Sequence, residues 1–124
     1  MRPLFHPPLE DITVEGILHA LSDPLRVRIF ADIVDAECPQ SCAALLKLSD
    51  QDIPKSTLSQ HFRVLREAGL IRSERNGVAL HNTSRLDEIR GRFDGLIVAI
   101  VQAHAAQNER LNRGKSSRKA KKNK

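Results

Sequence analysis

Residues 55–71 read KSTLSQHFRVLREAGLI, and this stretch decides the fold of the chain. Leu58, Phe62 and Leu65 recur at the i, i+4, i+7 spacing that places apolar side chains on one face of an α-helix. The opposite face carries hydroxyls, an amide and a cation, which are groups able to contact base edges and phosphates. Gly69 stands where the helix should end, because glycine readily adopts the left-handed conformation found after a helix C-terminus. The stretch therefore predicts an amphipathic helix with a face suited to nucleic acid.

A β-hairpin is predicted immediately after this helix. Extended patterns over 70–75 and 78–82 flank Asn76-Gly77, a dipeptide preferred in type I′ turns because both central residues need positive φ. A short helix over 42–48 and a turn precede the amphipathic helix. A short helix, a turn, a longer helix and a hairpin together make a winged helix-turn-helix.

The remaining helices are predicted from their caps and their apolar spacing. Thr13 can cap a first helix, and Asp23 followed by Pro24 is a strong start for a second. A last helix is predicted from Leu86 to about Asn108. The predicted fold is mainly α with a small β-hairpin, in the order α-α-α-α-β-β-α. From its pattern alone, the first helix is either a packing element or half of a dimer interface.

Charge and composition divide the chain into three regions. Residues 1–12 are an extended N-terminal arm, 13–110 a winged helix-turn-helix DNA-binding and dimerisation domain, and 111–124 a basic tail predicted to be disordered. The net charge is +5, but seven of the 20 Lys and Arg residues lie between Arg113 and Lys124, which leaves 13 bases against 15 acids elsewhere. Any affinity of the body for nucleic acid must therefore come from a local patch.

Composition argues against several other classes of protein. Only 3% of the residues are aromatic, which disfavours single-strand binding by base stacking. Two cysteines cannot make a disulfide scaffold, no apolar run approaches the length of a membrane span, and the N-terminal residues lack the apolar core of a signal peptide. Because no catalytic, cofactor or metal-binding pattern is found, we expect a cytoplasmic protein that is not an enzyme and needs no cofactor.

Two stretches resemble the ArsR family of bacterial winged-helix repressors. They read ALSDPLRVRI over 20–29 and SQHFRVLREAGLI over 59–71, and the likeness extends over roughly 13–106. The resemblance implies a homodimer built on the first and last helices. It also implies a repressor that leaves its operator DNA when an inducer, here unknown, binds.

The expected partner is double-stranded DNA, with the amphipathic helix in the major groove and the hairpin near a phosphate backbone. The residues expected to contact DNA lie on the outer face of that helix or near the hairpin tip: Lys55, Ser56, Thr57, Ser59, Gln60, Arg63, Arg72, Arg75 and Asn76. An ordinary solvated hairpin is the alternative for the last three. Because the body of the chain is slightly acidic, the alternative function is a winged-helix protein-interaction module that does not bind DNA.

The last predicted helix is apolar nearly all round between Leu96 and Val101, which is more surface than one small domain can cover. A second copy of the chain is the simplest partner for that surface. The residues expected at the dimer interface come from the first and last helices: Ile17, Leu18, Phe93, Ile97, Ile100 and Val101.

Cys38 and Cys42 are the candidate sensing residues. The arsenic and cadmium sensors of the ArsR family carry a Cys-x-Cys at the start of the third helix, whereas only Cys42 has a counterpart here. The zinc-sensor pattern on the last helix is not matched either, because His104 stands there without the expected partners. Three interpretations stay open for the two thiols: ordinary cysteines, a redox or electrophile-sensing pair, or a thiophilic metal site that needs at least one further ligand.

Overall fold

The computed structural model describes residues 4–36, 40–41 and 53–122. The described elements, numbered in chain order, are a 3-10 helix (Leu9–Asp11), α1 (Val14–Ala20), α2 (Pro24–Asp35), β1 (Gln40–Ser41), α3 (Lys55–Glu67), β2 (Ile71–Asn76), β3 (Ala79–Ser84) and α4 (Asp94–Lys122). The predicted short helix over 42–48 and both cysteines lie outside the described residues. The predicted fold class, mainly helical with an antiparallel hairpin in a winged helix-turn-helix, is confirmed.

The starts of α1 and α2 follow their capping residues. Oγ1 of Thr13 accepts a hydrogen bond from the N–H of Gly16 at 3.0 Å. Oδ1 of Asp23 accepts from the N–H of Leu25 at 2.8 Å, and Pro24 occupies the first helical position, where its missing N–H costs nothing. Both predicted helix starts are therefore confirmed.

The hydrophobic core lies where the described helices meet the base of the hairpin. Its buried members are aliphatic apart from two phenylalanines, as the low aromatic content requires. They are Ile12, Ile17, Ala20, Leu21, Val27, Ile29, Phe30, Ile33, Leu58, Phe62, Leu65, Leu70, Ile71, Ile89 and Ile97. The apolar stripe of α3 belongs entirely to this core, so the helix presents its opposite face to solvent.

The hairpin belongs to a three-stranded antiparallel sheet with the strand order β1-β3-β2. Asn76 pairs with Ala79, so Gly77 and Val78 form the two-residue turn. Gly77 has φ +68°, whereas among the described residues no residue other than glycine has positive φ. The turn therefore has the φ pattern of type II′, not the predicted type I′, because a β-branched valine avoids positive φ. The two-residue strand β1 was not predicted, since two residues are too short to show an alternating pattern.

The last helix begins later and ends later than predicted. Residues 86–93 form a series of turns, and Gly91 with φ +87° interrupts a continuous helix from Leu86. The carboxylate of Asp94 accepts the N–H of Gly91 at 2.7 Å, which holds the turn that leads into α4.

At its other end α4 continues to Lys122, so the predicted end near Asn108 is wrong, and residues 111–122 of the predicted disordered tail are helical. Arg and Lys have high helix propensity, and Arg113 pairs with Glu109 one turn earlier at 3.9 Å. The proposed division of the chain into arm, domain and tail stays a prediction.

Candidate nucleic-acid interface

Helix α3 carries a polar face that the fold leaves in solvent. Leu58, Phe62 and Leu65 are buried in the core, and Gly69, with φ +87°, follows the helix end as expected. The six helix residues expected to contact DNA are all exposed: Lys55, Ser56, Thr57, Ser59, Gln60 and Arg63. The structure thus brings these side chains together on one accessible surface, which we call the reading face.

Arg63 on the reading face makes an ion pair that leaves it available to other partners. Its Nε lies 3.1 Å from Oε1 of Glu67, and the arginine side chain is 72% exposed. Exposed pairs of this kind contribute at most about 1 kcal/mol to stability. The guanidinium can therefore exchange this carboxylate for a phosphate at little cost.

A buried polar link, not predicted from the sequence, ties α3 to the hairpin. Nε of Arg66 donates to Oγ of Ser73 at 3.0 Å, and that hydroxyl donates to Oδ1 of Asn82 at 2.7 Å. Arg66 is only 9% exposed, and the other two side chains are buried still further. The sequence did contain a sign that Arg66 is buried, because this residue lies four positions after Phe62 on the apolar stripe of α3. The link fixes the orientation of the hairpin relative to the reading face.

A second polar contact fixes α3 to the elements before it. Nη1 of Arg26 on α2 lies 3.2 Å from Nδ1 of His61 on α3. The same guanidinium donates from Nε to the carbonyl of Ala20 at the end of α1, at 2.7 Å. Arg26 therefore connects three helices, and His61 takes part in helix packing.

The hairpin residues expected to contact DNA fall into two groups. Arg75 and Asn76 are exposed at the tip, as expected. Arg72 instead forms a bidentate pair with Glu88, with Nε–Oε2 and Nη2–Oε1 distances of 2.9 and 2.6 Å. Nε of Arg85 also donates to Glu88 at 3.0 Å. Arg72 is thus paired with the segment after β3, and its predicted contact with DNA stays a prediction.

The pKa values at this cluster reflect the pairing. The hydrogen bond from Arg72 is the main cause that lowers the pKa of Glu88 below its ordinary value, and Arg85 adds to the effect. The same hydrogen bond raises the pKa of Arg72. The pair is therefore ionised on both sides at neutral pH.

The apolar residues expected at a dimer interface are placed differently from one another. Ile17 and Ile97 are fully buried in the core of a single chain, so neither can face a second copy. Phe93, Ile100 and Val101 pack against that core and are partly buried. Leu18 on α1 is 48% exposed, and Val98 on α4 is 42% exposed although the sequence analysis did not select it. Each of these two helices thus retains an exposed large apolar side chain, Leu18 as predicted and Val98 in addition.

Cys38 and Cys42 lie outside the described residues. Within residues 4–36 and 53–114, no three His, Cys, Asp or Glu side chains come together in a group that could hold a metal ion. The role of the two cysteines stays a prediction.

Comparison with known proteins identifies the domain. A family described as a helix-turn-helix domain matches residues 21–74. The solved structure of an ArsR family transcriptional regulator, RHA00566, is similar with a TM-score of 0.53 and 20% sequence identity, over 88% of this chain and 97% of that chain.

Two further solved structures are similar to this chain. The Rv0081 protein of M. tuberculosis has a TM-score of 0.51 and 29% identity, over 90% of this chain and 97% of that one. An ArsR-like transcriptional regulator from Rhodococcus sp. RHA1 has a TM-score of 0.47 and 21% identity, over 86% of this chain and 85% of its own. A search of curated proteins found no match.

The matched domain, the sheet and the accessible face of α3 define the class of the protein as a winged helix-turn-helix, a fold typical of DNA-binding domains. Within that class the chain is similar in fold to the ArsR family regulator RHA00566, as the resemblance in its sequence predicts. In the described part of the chain, no helix combines the length and apolarity needed to cross a membrane.

Proposed function

We propose that the protein is a dimeric, sequence-specific repressor that binds double-stranded DNA and is released by an inducer or by thiol modification. The observation that carries the proposal is the reading face itself. Its six polar side chains are exposed opposite a fully buried apolar stripe. Polar contacts at Arg26 and Arg66 hold the helix on both sides, so the face is pre-organised before DNA arrives.

The residues of the reading face divide by chemistry. Ser59 and Gln60 carry short polar groups that can hydrogen-bond base edges in the major groove, and glutamine pairs well with adenine. Lys55 and Arg63 carry charges suited to phosphates, which position a protein on DNA without selecting a sequence. Arg75 at the exposed hairpin tip can contact the backbone beside the groove.

A dimer supplies the second reading face that a specific site needs. Leu18 and Val98 expose large apolar side chains on α1 and α4, and burying such a group contributes about 1.5–3 kcal/mol. A two-fold axis that brings these side chains of two copies together would give a symmetric interface. Two copies of α3 in successive major grooves, about 34 Å apart, would recognise a near-palindromic operator.

Release requires a ligand or modification that favours a different spacing of the two reading faces. Oxidation, or binding of a thiophilic metal, at Cys38 and Cys42 is one route, since thiolates are the reactive form of cysteine and are soft metal ligands. An inducer at the dimer interface is the other. Either route acts by weakening the bound arrangement of the two subunits.

Selection from a random DNA duplex library tests the proposal directly. We expect the full chain to enrich one motif with two half-sites related by two-fold symmetry. A gel shift on the enriched duplex and on a shuffled duplex then measures specificity at stated salt, because salt alone changes DNA affinity by orders of magnitude. Failure to enrich any motif would instead favour a winged-helix module that binds another protein.

A further inference from the structure

The N-terminal arm, defined here as residues 4–12, reaches the hairpin through one histidine. Nε2 of His6 accepts the backbone N–H of Ser73 on β2 at 3.0 Å. The two residues are 67 positions apart in the chain. Strand β2 lies at the edge of the described sheet, next to β3 only. The imidazole nitrogen thus satisfies an edge N–H that would otherwise need a further strand or water.

Three further contacts seat the arm beside the hairpin. Nη1 of Arg85 donates to the carbonyl of Pro7 at 2.8 Å, and Nη1 of Arg92 donates to the carbonyl of Leu9 at 3.0 Å. Ile12 is buried against Gly69, where a Cβ would lie 2.5 Å from Cδ1 of that isoleucine. These contacts therefore hold the arm in a defined position against the rest of the domain.

His6 meets the residue that already links the hairpin to α3. The side chain of Ser73 accepts from Arg66 and donates to Asn82, while its backbone N–H donates to His6. A continuous set of hydrogen bonds therefore runs from the arm through β2 to the helix with the reading face. His6 on the arm and Arg66 on α3 therefore contact the same residue of β2.

The charges around the ring oppose its protonation. Arg66 from α3, Arg72 from β2 and Arg85 after β3 all act on the imidazole, and Glu88 pairs with the last two. Burial is the main cause that lowers the pKa of His6 below its ordinary 6.5, followed by Arg72, Arg66 and Arg85. A backbone hydrogen bond with Leu4 acts in the opposite direction. The surroundings of His6 therefore favour the neutral ring, in which Nε2 is unprotonated.

We propose that His6 is a positioning residue of the DNA-binding surface, whose neutral ring locks the arm to β2 and whose protonation releases it. A protonated Nε2 is a donor and cannot accept the N–H of Ser73. The added charge would also stand among three arginines. The inference rests on the proposed DNA binding for its consequence, but the lock itself can be measured without DNA.

The sign of the pH effect follows from linkage. Because the folded pKa of His6 is lowered, the unfolded chain binds the proton more readily as the pH falls below 6.5. The contribution of the lock is fully present above that pH and is lost as the pH falls through the folded pKa. Acid should thus detach the arm while the rest of the domain stays folded.

Two variants of the full chain separate the lock from a merely structural role. His6→Gln keeps a neutral acceptor near the position of Nε2 at every pH, whereas His6→Ala removes the acceptor at every pH. The first readout is hydrogen exchange of the Ser73 amide in the absence of DNA, expressed as a protection factor. The titration of the His6 ring, followed by its own NMR signals, defines the midpoint. Wild type should match His6→Gln above this midpoint and His6→Ala below it.

The expected difference between the locked and unlocked forms is about fivefold in protection, the size of one ordinary net hydrogen bond. His81→Gln on β3 of the same hairpin is the matched control and should keep the pH response of the wild type. Identical protection in wild type, His6→Gln and His6→Ala on both sides of the midpoint would overturn the lock.

The second readout is affinity for the duplex enriched by selection. The ratio of wild-type to His6→Gln affinity should be near one above the midpoint and should fall about fivefold below it, by the same hydrogen-bond magnitude. Unchanged affinities, with Ser73 protection behaving as expected, would show that the lock does not position the surface. If wild type selects no duplex at high pH, the proposed function fails on its own, and Ser73 protection still decides whether the lock exists.

Discussion

Nε of Arg66 lies 3.0 Å from Oγ of Ser73, so a buried guanidinium on α3 supports the first half of the hairpin. Few arginines are buried, and those that are need partners for their donors. This contact is the point where the helix, the hairpin and the arm meet.

Replacing Arg66 with Met should therefore destabilise the domain. The substitution keeps much of the buried volume but leaves polar groups of the link without a donor, which costs about 1–3 kcal/mol of unfolding free energy. Urea denaturation measures the loss. The matched control is Arg63→Met on the same helix, which should change stability by less than about 0.5 kcal/mol because its partner is exposed. Equal effects of the two variants would contradict the structural role of the link.

Replacing Gln60 with Ala should reduce specificity without unfolding the protein. The side chain is exposed on the reading face, and loss of one good base contact costs about 1–3 kcal/mol on the specific duplex. Affinity for a shuffled duplex should hardly change. Gln107→Ala, at an exposed position on α4, is the control and should leave both affinities unchanged. Equal losses on both duplexes would show that Gln60 does not contact bases.

The two hairpin arginines should behave differently. Arg75→Ala should weaken binding to all sequences and reduce the slope of log affinity against log salt by about 1, as expected for a lost phosphate contact. Arg72→Ala should leave that slope intact and lower thermal stability, because its guanidinium already pairs with Glu88 at 2.6 and 2.9 Å. A reduced salt slope for Arg72→Ala would instead show that Arg72 contacts a DNA phosphate.

Acid should remove the contribution of Glu88 to stability. Its folded pKa is lowered, chiefly by the hydrogen bond from Arg72, below an ordinary value of 4.5. The contribution is therefore present above that pH and is lost as the pH falls through the folded pKa. The stability of Glu88→Gln should depend less on pH in this acidic range than that of the wild type. Glu109→Gln, which alters a looser 3.9 Å pair in the exposed part of α4, is the control and should follow the wild type.

The proposed dimer should depend on the exposed apolar residues. Val98→Glu or Leu18→Glu should give monomers in sedimentation and loss of operator binding, with a domain that remains folded. Ile97→Glu is not a clean test, because this side chain is fully buried in one chain and a buried charge would unfold it. Val78→Glu, at the fully exposed hairpin turn, is the control for sedimentation. If Val98→Glu remains dimeric, the dimer interface does not include Val98.

The sequence was informative wherever a short-range pattern fixes a local structure. The stripe of α3, the caps at Thr13 and Asp23, and the glycine after α3 all depend on residues a few positions apart. Long-range pairings were not visible. No local pattern predicts that Arg72 pairs with Glu88 or that His6 pairs with Ser73, because these residues are distant in the chain and meet only in the folded protein.

The predictions that failed rested on an apolar pattern alone, without the backbone conformation or the neighbouring elements. The apolar pattern from Leu86 was continuous, but Gly91 adopts positive φ and delays the helix until Asp94. Ile97 lies in an apolar run that suggested a subunit interface, yet its own domain covers it completely. An apolar pattern identifies a buried face without saying which neighbour buries it.

The contacts that hold the arm also have a consequence for biosynthesis and for protein engineering. The ribosome makes the arm before its partners, which follow His6, Pro7 and Leu9 by 67, 78 and 83 residues. The nascent arm must therefore wait, undocked, until the hairpin and the turns after it have left the exit tunnel. A purification tag fused in front of the arm would emerge beside the hairpin. A tag at the far end of α4 is the safer choice for DNA-binding assays.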